Sequence, residues 1–269
     1  VFRHADMTGI QPIRADTALP GFKSSAQSVL VADKVRQVGE LIAMCIAPTR
    51  AEAEDMVDRV HVEFDELPAV SDMLAARAPD APLIHEKWGD NVFLETLVEQ
   101  NIEEAIAGAA VKITRRFRTA RQCMAPIEGK GVVAEWDGRL DQLVLHSATQ
   151  MPHIVRTGLA DCLGIDHGRI RVMAPDVGGG FGSKLGLHYD AILACIGARK
   201  LRHPVKVVLS RRQVFYNTPH RGNSFQSMTL RCDEQGKFSH ISHKSAMPRA
   251  KGYAFAEATG AVARVTYSA

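Results

Sequence analysis

The residues best suited to chemistry lie in one short stretch. From Ala174 to Lys184 the chain reads Ala-Pro-Asp-Val-Gly-Gly-Gly-Phe-Gly-Ser-Lys, with four glycines around Phe181. Glycines there permit positive φ and let a bulky partner approach the main chain. A helix following them offers free N–H groups to an anion or an oxo group. On the residues alone three readings stay open. A dinucleotide loop fits poorly, because the position five after Gly178 is Ser183 and the position five after Gly180 is Leu185. A phosphate loop fits less well still, since Gly178, Gly182 and Lys184 miss the Gly-x-x-x-x-Gly-Lys spacing. The third reading is a glycine turn that merely packs. A phenylalanine between glycines suits close packing over a flat or metal-bound group.

Two further stretches carry polar groups at junctions. Ser147 to His153 reads Ser-Ala-Thr-Gln-Met-Pro-His, a strand running into a helix. The neutral amide of Gln150 can donate to an oxo ligand without competing for a metal's charge, or it is simply an exposed glutamine at a helix entry. Cys123 to Gly131 contains Glu128, which can pair with Lys130 or Arg121 or cap a backbone turn; a structural role is the stronger reading. His153 and His220 stand near motifs, but a lone histidine is more often hydrogen-bonded structure than a ligand. Ser210 to Arg221 is basic and reads either as a solvated turn or as a surface for a phosphate or a partner.

These stretches need elements to hold them. Ser28–Val31 and Leu41–Ala47 read as two strands about a turn. Thr49 and Glu52 form a capping box, and Ala53, Met56, Val57 and Val60 give one helical face behind it. Val62 to Pro68 alternates as a strand would. Residues 73–98 are rich in Ala, Pro, Asp and Gly and read as a linker. A helix is expected at Ile102, then a strand from Val111 with Val111, Ile113 and Phe117 buried. Trp136–Gly138 reads as a hairpin turn. Pro152 suits the first position of a helix whose face is Val155, Leu159, Cys162 and Leu163, with Gly164 ending it. A strand at Arg169–Ala174, a buried helix around Ala191–Ile196 and a strand at Leu201–Leu209 follow. Ser227 to His243 reads as a hairpin turning at Asp233–Gly236.

Bulk properties exclude several classes. The chain has 269 residues, 46% hydrophobic and 23% charged, enough for a sizeable core. A net charge of +3 without a long basic run argues against nucleic acid. The five cysteines are scattered with no Cys-x-x-Cys, which argues against a zinc or iron–sulfur site built from this chain. No apolar run reaches about 18 residues, so no membrane partner is expected.

Together, Ala125–Glu128, Trp136–Asp137, Thr149–His153 and Ala174–Lys184, in this order, resemble the molybdopterin-binding large subunit of the molybdenum hydroxylases, the xanthine dehydrogenase and aldehyde oxidase family. Lys34–Gly39 and Val62–Pro68 add similarity to that family's α/β hammerhead domain. The resemblance implies an α/β (α+β) fold. A hammerhead domain would occupy 1–72, incomplete at its N-terminus. A linker would follow at 73–98, then the first part of a molybdopterin-binding domain at 99–269.

What the resemblance implies for chemistry is specific. Molybdenum is held by a pterin rather than by protein ligands, with the cytosine dinucleotide among the pterin forms allowed. Water is the oxygen source for hydroxylating an aldehyde or an aromatic N-heterocycle. Electrons pass to two-iron two-sulfur clusters and FAD on partner subunits. Gln150 matches the glutamine that hydrogen-bonds an oxo ligand. Gly179, Gly180, Phe181 and Gly182 match the loop over the metal, and Phe181 and Leu185 line the substrate pocket. Purine-oxidising members carry a glutamate where this chain has Leu185, which argues against a purine. The general-base glutamate belongs far toward the C-terminus of a full subunit; Glu257 matches an internal segment instead. The expectation is a cytoplasmic enzyme, with the periplasm as the alternative compartment, whose isolated 269-residue chain is inactive. A naturally split subunit and a non-catalytic cofactor-binding or assembly module are the alternatives.

Overall fold

A computed structural model describes residues 1–15, 17–98, 102–252 and 259–267. The fold is mixed α/β and divides into two compact units. The first comprises Val1–Arg14, Ala26–Glu66 and Cys123–His220; the second comprises Ala15–Ser25, Leu67–Gln122 and Arg221–Ala269. Among the described residues no helix is long and apolar enough to cross a membrane.

The first unit is built on a four-stranded sheet. Its strands are β1 (Gly131–Asp137), β2 (Gln142–Ser147), β3 (Ile170–Met173) and β4 (Val205–Val208), in the order β3-β2-β1-β4. β1 pairs antiparallel with β2 and β4, and β2 runs parallel to β3. The β1–β2 hairpin turns where the Asp137 carboxylate accepts from the N–H groups of Arg139 and Leu140. Alternation does the sorting: Val132 and Ala134 on β1, and Leu143 and Leu145 on β2, are buried on one face.

Two helices cover that face. α1 (Pro152–Leu163) starts at Pro152 and ends at Gly164, whose φ of 63° is the left-handed cap glycine supplies. Its Val155, Leu159, Cys162 and Leu163 are buried, as their spacing requires. α2 (Tyr189–Leu201) is buried continuously from Tyr189 to Ala198. It lies between the sheet and the N-terminal segment, whose Met7, Leu30 and Met44 join the same core. Each fully buried leucine or isoleucine here contributes roughly 1.5–3 kcal/mol.

The N-terminal segment departs from expectation. Its helix Arg50–Asp58 forms with the Thr49–Glu52 capping box complete. The two strands expected across Ser28–Ala47 do not form; the Val31 N–H donates to the Leu41 carbonyl at 2.7 Å, and an isolated bridge joins Phe2 to Met44. Val62–Pro68 forms no strand, and Phe64 is 62% exposed. Alternation specifies a strand's face, not its neighbour, and without a neighbour the backbone groups stay in water. Residues 211–217, read either as a solvated turn or as a surface for a phosphate or a partner, form a short helix capped reciprocally by Ser210 and Gln213.

The second unit centres on three antiparallel strands, Phe238–Ala246, Ser224–Cys232 and Val111–Thr119, in that spatial order. The hairpin expected about Asp233–Gly236 is present, its turn held by the Asp233 carboxylate. Burial of Val111, Ile113 and Phe117 is not observed; all three are exposed. Their register sets them opposite Cys232, Leu230 and Gln226 on one sheet face. The spacing sets the three on one face, as the register shows, but that face is not the buried one. Residues 73–98 contain only single 3₁₀ turns, tied together by Asn91, which bonds Ala76, Pro82 and Ile84.

Candidate functional site

The site belongs to the first unit, at the strand ends. β2 runs out through Ala148 into Thr149 and Gln150, and the glycine stretch connects β3 to α2. The two connections lock together. Gln150 N–H donates to the Lys184 carbonyl at 2.9 Å, and the Thr149 hydroxyl donates to the same oxygen at 3.1 Å.

The side chain of Gln150 makes the second half of the lock. Its Oε1 accepts from the N–H groups of Gly182 at 3.2 Å and Lys184 at 3.3 Å. Two donors on one atom fix that atom as oxygen and turn the amide NH2 the other way. Gln150 itself is exposed. Its amide carbons lie so close to Gly180 that a β-carbon on Gly180 would stand 2.4 Å from Cδ.

The loop between is shaped for close approach. Gly179 and Gly182 have φ near +92° and +93°, and Phe181 lies in the same left-handed region at 50°. Phe181 is 73% exposed, and its ring lies over Gly179, where a β-carbon would be 3.1 Å from Cε2. Ala125, at φ 36°, is a second non-glycine residue in this strained region, two positions from Ile127 and adjacent to Pro126, which borders Gly179. No acceptor among the described residues meets the N–H of Gly180 or Phe181. Backbone N–H groups in such a turn can form a concavity for negative charge.

Beneath the loop lies a row of charge that the sequence did not reveal. Glu128 was read as a partner for Lys130 or Arg121; it pairs with Lys184. The Lys184 ammonium donates to Glu128 Oε1 at 2.7 Å, and the N–H of Gly178 donates to Oε2 at 2.5 Å. The Lys184 side chain is 1% exposed and that of Glu128 39% exposed. The hydrogen bond from Lys184 holds the Glu128 carboxyl below its usual range; partial burial opposes this and the Gly178 amide assists. Lys130 is also buried, 3.4 Å from Asp190 Oδ1, and its burial pushes the ammonium pKa down.

His188 completes the row. Its Nε2 is buried without a partner, as is Asp190 Oδ2, although the residue keeps part of its surface exposed. Burial, aided by Lys130, pushes the imidazole down to about 3, so it is neutral at ordinary pH; Asp190 and the Ser183 carbonyl pull the other way. Arg211, from the basic stretch, donates from its two Nη atoms to the carbonyls of Pro126 and Ile127 at 2.8 Å each, bracing the Glu128 loop. A capping signal at Ser210 could have found that helix; nothing local marks Lys184 as buried.

A hollow of about 510 Å³ opens beside Glu128, bordered by Lys130, His146, Asp176, Lys206 and Arg211. Gln150, Phe181 and Leu185 do not border it. They stand on open surface, and Leu185 is partly exposed near Gly182. Thus the structure brings Gln150 together with Gly180, Gly182 and Lys184, and Phe181 with Gly179. Among the described residues no group of three or more His, Cys, Asp or Glu could hold a metal ion. Glu257 lies outside the described residues.

The chain has clear relatives. The molybdopterin cofactor-binding domain family matches residues 84–266. The large subunit of nicotine 6-hydroxylase from Paenarthrobacter nicotinovorans is 30% identical over 230 residues, covering 85% of this chain and 28% of that protein. The aldehyde oxidoreductase molybdenum-binding subunit PaoC of Escherichia coli K12 is 37% identical over 166 residues, covering 61% and 22%. Quinoline 2-oxidoreductase from Pseudomonas putida 86 superposes with a TM-score of 0.86 at 34% identity, over 91% of this chain and 31% of that one. The chain therefore spans less than a third of the length of these relatives.

Proposed function

The chain belongs to the molybdenum hydroxylase large-subunit family, and from that premise we propose that Gln150, Gly179, Gly180, Phe181 and Gly182 form one wall of a molybdopterin site. The observation that carries this is the orientation of Gln150. Its oxygen is occupied by two loop N–H groups, so its NH2 faces outward beside a glycine loop that carries no β-carbons at residues 178–180. A neutral donor held rigidly beside an open cradle fits a cofactor that brings its own metal and its own acceptors.

When bound, the pterin-held molybdenum supplies the redox chemistry of hydroxylation, with water as oxygen source. The chain's part is geometric and electrostatic. The outward NH2 of Gln150 would donate one hydrogen bond to the bound group without adding charge. Gly179, Gly180 and Gly182 admit the cofactor close to the backbone. The free N–H groups of Gly180 and Phe181 would be available to negative charge on a bound group. Phe181 and Leu185 give the substrate side an apolar surface. That suits an aldehyde or aromatic N-heterocycle, in line with the relatives that act on nicotine, quinoline and aldehydes; Leu185 offers a purine no hydrogen bond.

The remaining assignments are proposals carried over from the resemblance. Residues 1–72 correspond to a hammerhead domain, 73–98 to a linker and 99–269 to the first part of the molybdopterin-binding domain. The general-base glutamate lies in the further length that the relatives possess, so the 269-residue chain alone is inactive. Electrons would leave to two-iron two-sulfur clusters and FAD on partner subunits, and the cytosine dinucleotide is among the pterin forms the family allows.

The test is metal and pterin analysis of the assembled enzyme, joined to turnover in ¹⁸O-labelled water. Near-stoichiometric molybdenum, pterin and label in the hydroxylated product are expected with an aldehyde or N-heterocycle. A well-folded enzyme lacking molybdenum and pterin overturns the reading, and faster turnover of xanthine overturns the substrate class.

A further inference from the structure

We infer that Glu128 is the clasp of the glycine loop, a positioning residue that holds both ends of residues 178–184 with one carboxylate. Oε2 takes the N–H of Gly178 at the loop's start, and Oε1 takes the ammonium of Lys184 at its end. Between those points lie Gly179, Gly180, Phe181 and Gly182. This inference rests on the proposed cofactor site, whose wall the clasp would hold in shape.

Three observations support a dedicated role over incidental pairing. The reach is specific, because the two contacts are 56 and 50 residues distant from Glu128 in sequence yet only six apart from each other. Gly178 cannot carry a side chain with Glu128 in place, since a β-carbon would stand 2.5 Å from Oε2 and 2.6 Å from the Glu128 β-carbon. Glu128 is itself held, through the two Arg211 bonds to the carbonyls just before it. The contacts then run from Arg211 through the Pro126 and Ile127 carbonyls to Glu128, from Glu128 to the Lys184 ammonium, and from the Lys184 amide to Gln150. The amide of Lys184 that bonds Gln150 belongs to the residue whose ammonium bonds Glu128. Losing the clasp therefore loosens the donor that fixes Gln150.

A purely structural salt bridge and a clasp differ in what rescues them. Glu128→Gln leaves a buried ammonium without its counter-charge, which destabilises strongly whatever the loop does. Pairing it with Lys184→Met removes the stranded cation, so folding returns while the tether stays absent. Glu128→Asp keeps the charge but loses one methylene of reach, so it cannot serve both ends.

The experiment is amide hydrogen exchange on the enzyme, both cofactor-free and loaded, in E128D and E128Q/K184M. Both variants are expected to melt within a few degrees of wild type. Both should exchange at Gly178, Gly182 and Lys184 at least tenfold faster, and lose pterin faster on gel filtration. Wild-type exchange in folded variants overturns the clasp, and so does failure of both variants to fold, which would make Glu128 a core residue. Exchange in the cofactor-free form reads the clasp alone. If it rises while pterin retention is unchanged, the clasp stands and the cofactor assignment fails.

Discussion

Gln150 and Gly180 occupy one another's space: a β-carbon on Gly180 would lie 2.3 Å from Gln150 Oε1. The glycine is thus required by a side chain thirty residues away in sequence, not by its own φ, which is not left-handed. Gly180→Ala must push the amide off the N–H groups of Gly182 and Lys184. Each lost bond costs about 1 kcal/mol, so a modest fall in melting temperature is expected. Molybdenum content and turnover should fall at least tenfold, because the donor is no longer aimed. Metal analysis beside steady-state kinetics checks this; unchanged turnover would detach Gln150 from the site.

Gln150→Glu separates the two jobs of this side chain. A carboxylate still offers an oxygen to both loop amides, so exchange at Gly182 and Lys184 should remain slow. It cannot donate outward, and it brings negative charge to the cofactor face. Removing one well-aimed donor typically costs roughly 10²–10³ in rate, and a kcat loss of that order is expected here with the fold intact. A variant that turns over normally would show that the amide NH2 contributes nothing.

Much of this arrangement was legible in the sequence, and the limits have physical causes. Local signals held: the Thr49–Glu52 box, Pro152 opening a helix and Gly164 closing it. Each depends on neighbours within four residues. The Gln150–glycine pairing was reachable through the combination of motifs. The Glu128–Lys184 pair was not, because Lys130 sits two residues from Glu128 and looked the nearer cation. Glu128 lies in a bend outside any strand, where a two-residue spacing does not set two side chains on one face. Val62–Pro68 and the Val111 strand failed in another way, since burial depends on a second layer that periodicity does not describe.

His188 makes stability depend on pH. Its folded pKa is depressed from 6.5 to about 3. Between those values the unfolded chain takes up a proton that the folded chain refuses. Stability from this group is therefore full above pH 6.5 and falls on acidification, by roughly 1.4 kcal/mol per pH unit. Lys130 favours the neutral ring, while Asp190 and the Ser183 carbonyl oppose it. Urea melts of wild type and His188→Gln at pH 7 and pH 5 should show a smaller loss for the variant. Parallel losses would mean the ring titrates normally.

Gly39 tests the support of α2 rather than the chemistry. It has φ +93°, and a β-carbon there would meet the Tyr216 carbonyl oxygen at 2.2 Å. Its own carbonyl faces the Tyr189 hydroxyl at 3.1 Å, at the start of α2. Gly39→Ala adds both a left-handed alanine and a backbone clash, together about 2–4 kcal/mol. Differential scanning calorimetry should show a melting temperature lower by roughly 5–15 °C. A change under a degree would mean the loop relaxes freely.

Phe181 calls for the opposite result, a change in function without a change in stability. A side chain 73% exposed buries little, so Phe181→Ala should leave the melting temperature nearly unaltered. Alanine keeps the β-carbon and the left-handed backbone, so the loop's path is preserved and only the ring is lost. If the ring forms one side of the substrate surface, KM for an aromatic heterocycle should rise severalfold more than KM for a small aldehyde. The small substrate has less area to lose contact with, roughly 25 cal/mol for each Å² of apolar surface. Equal effects on both substrates would mean that the ring acts on the cofactor. No effect on either would leave Phe181 outside the pocket altogether.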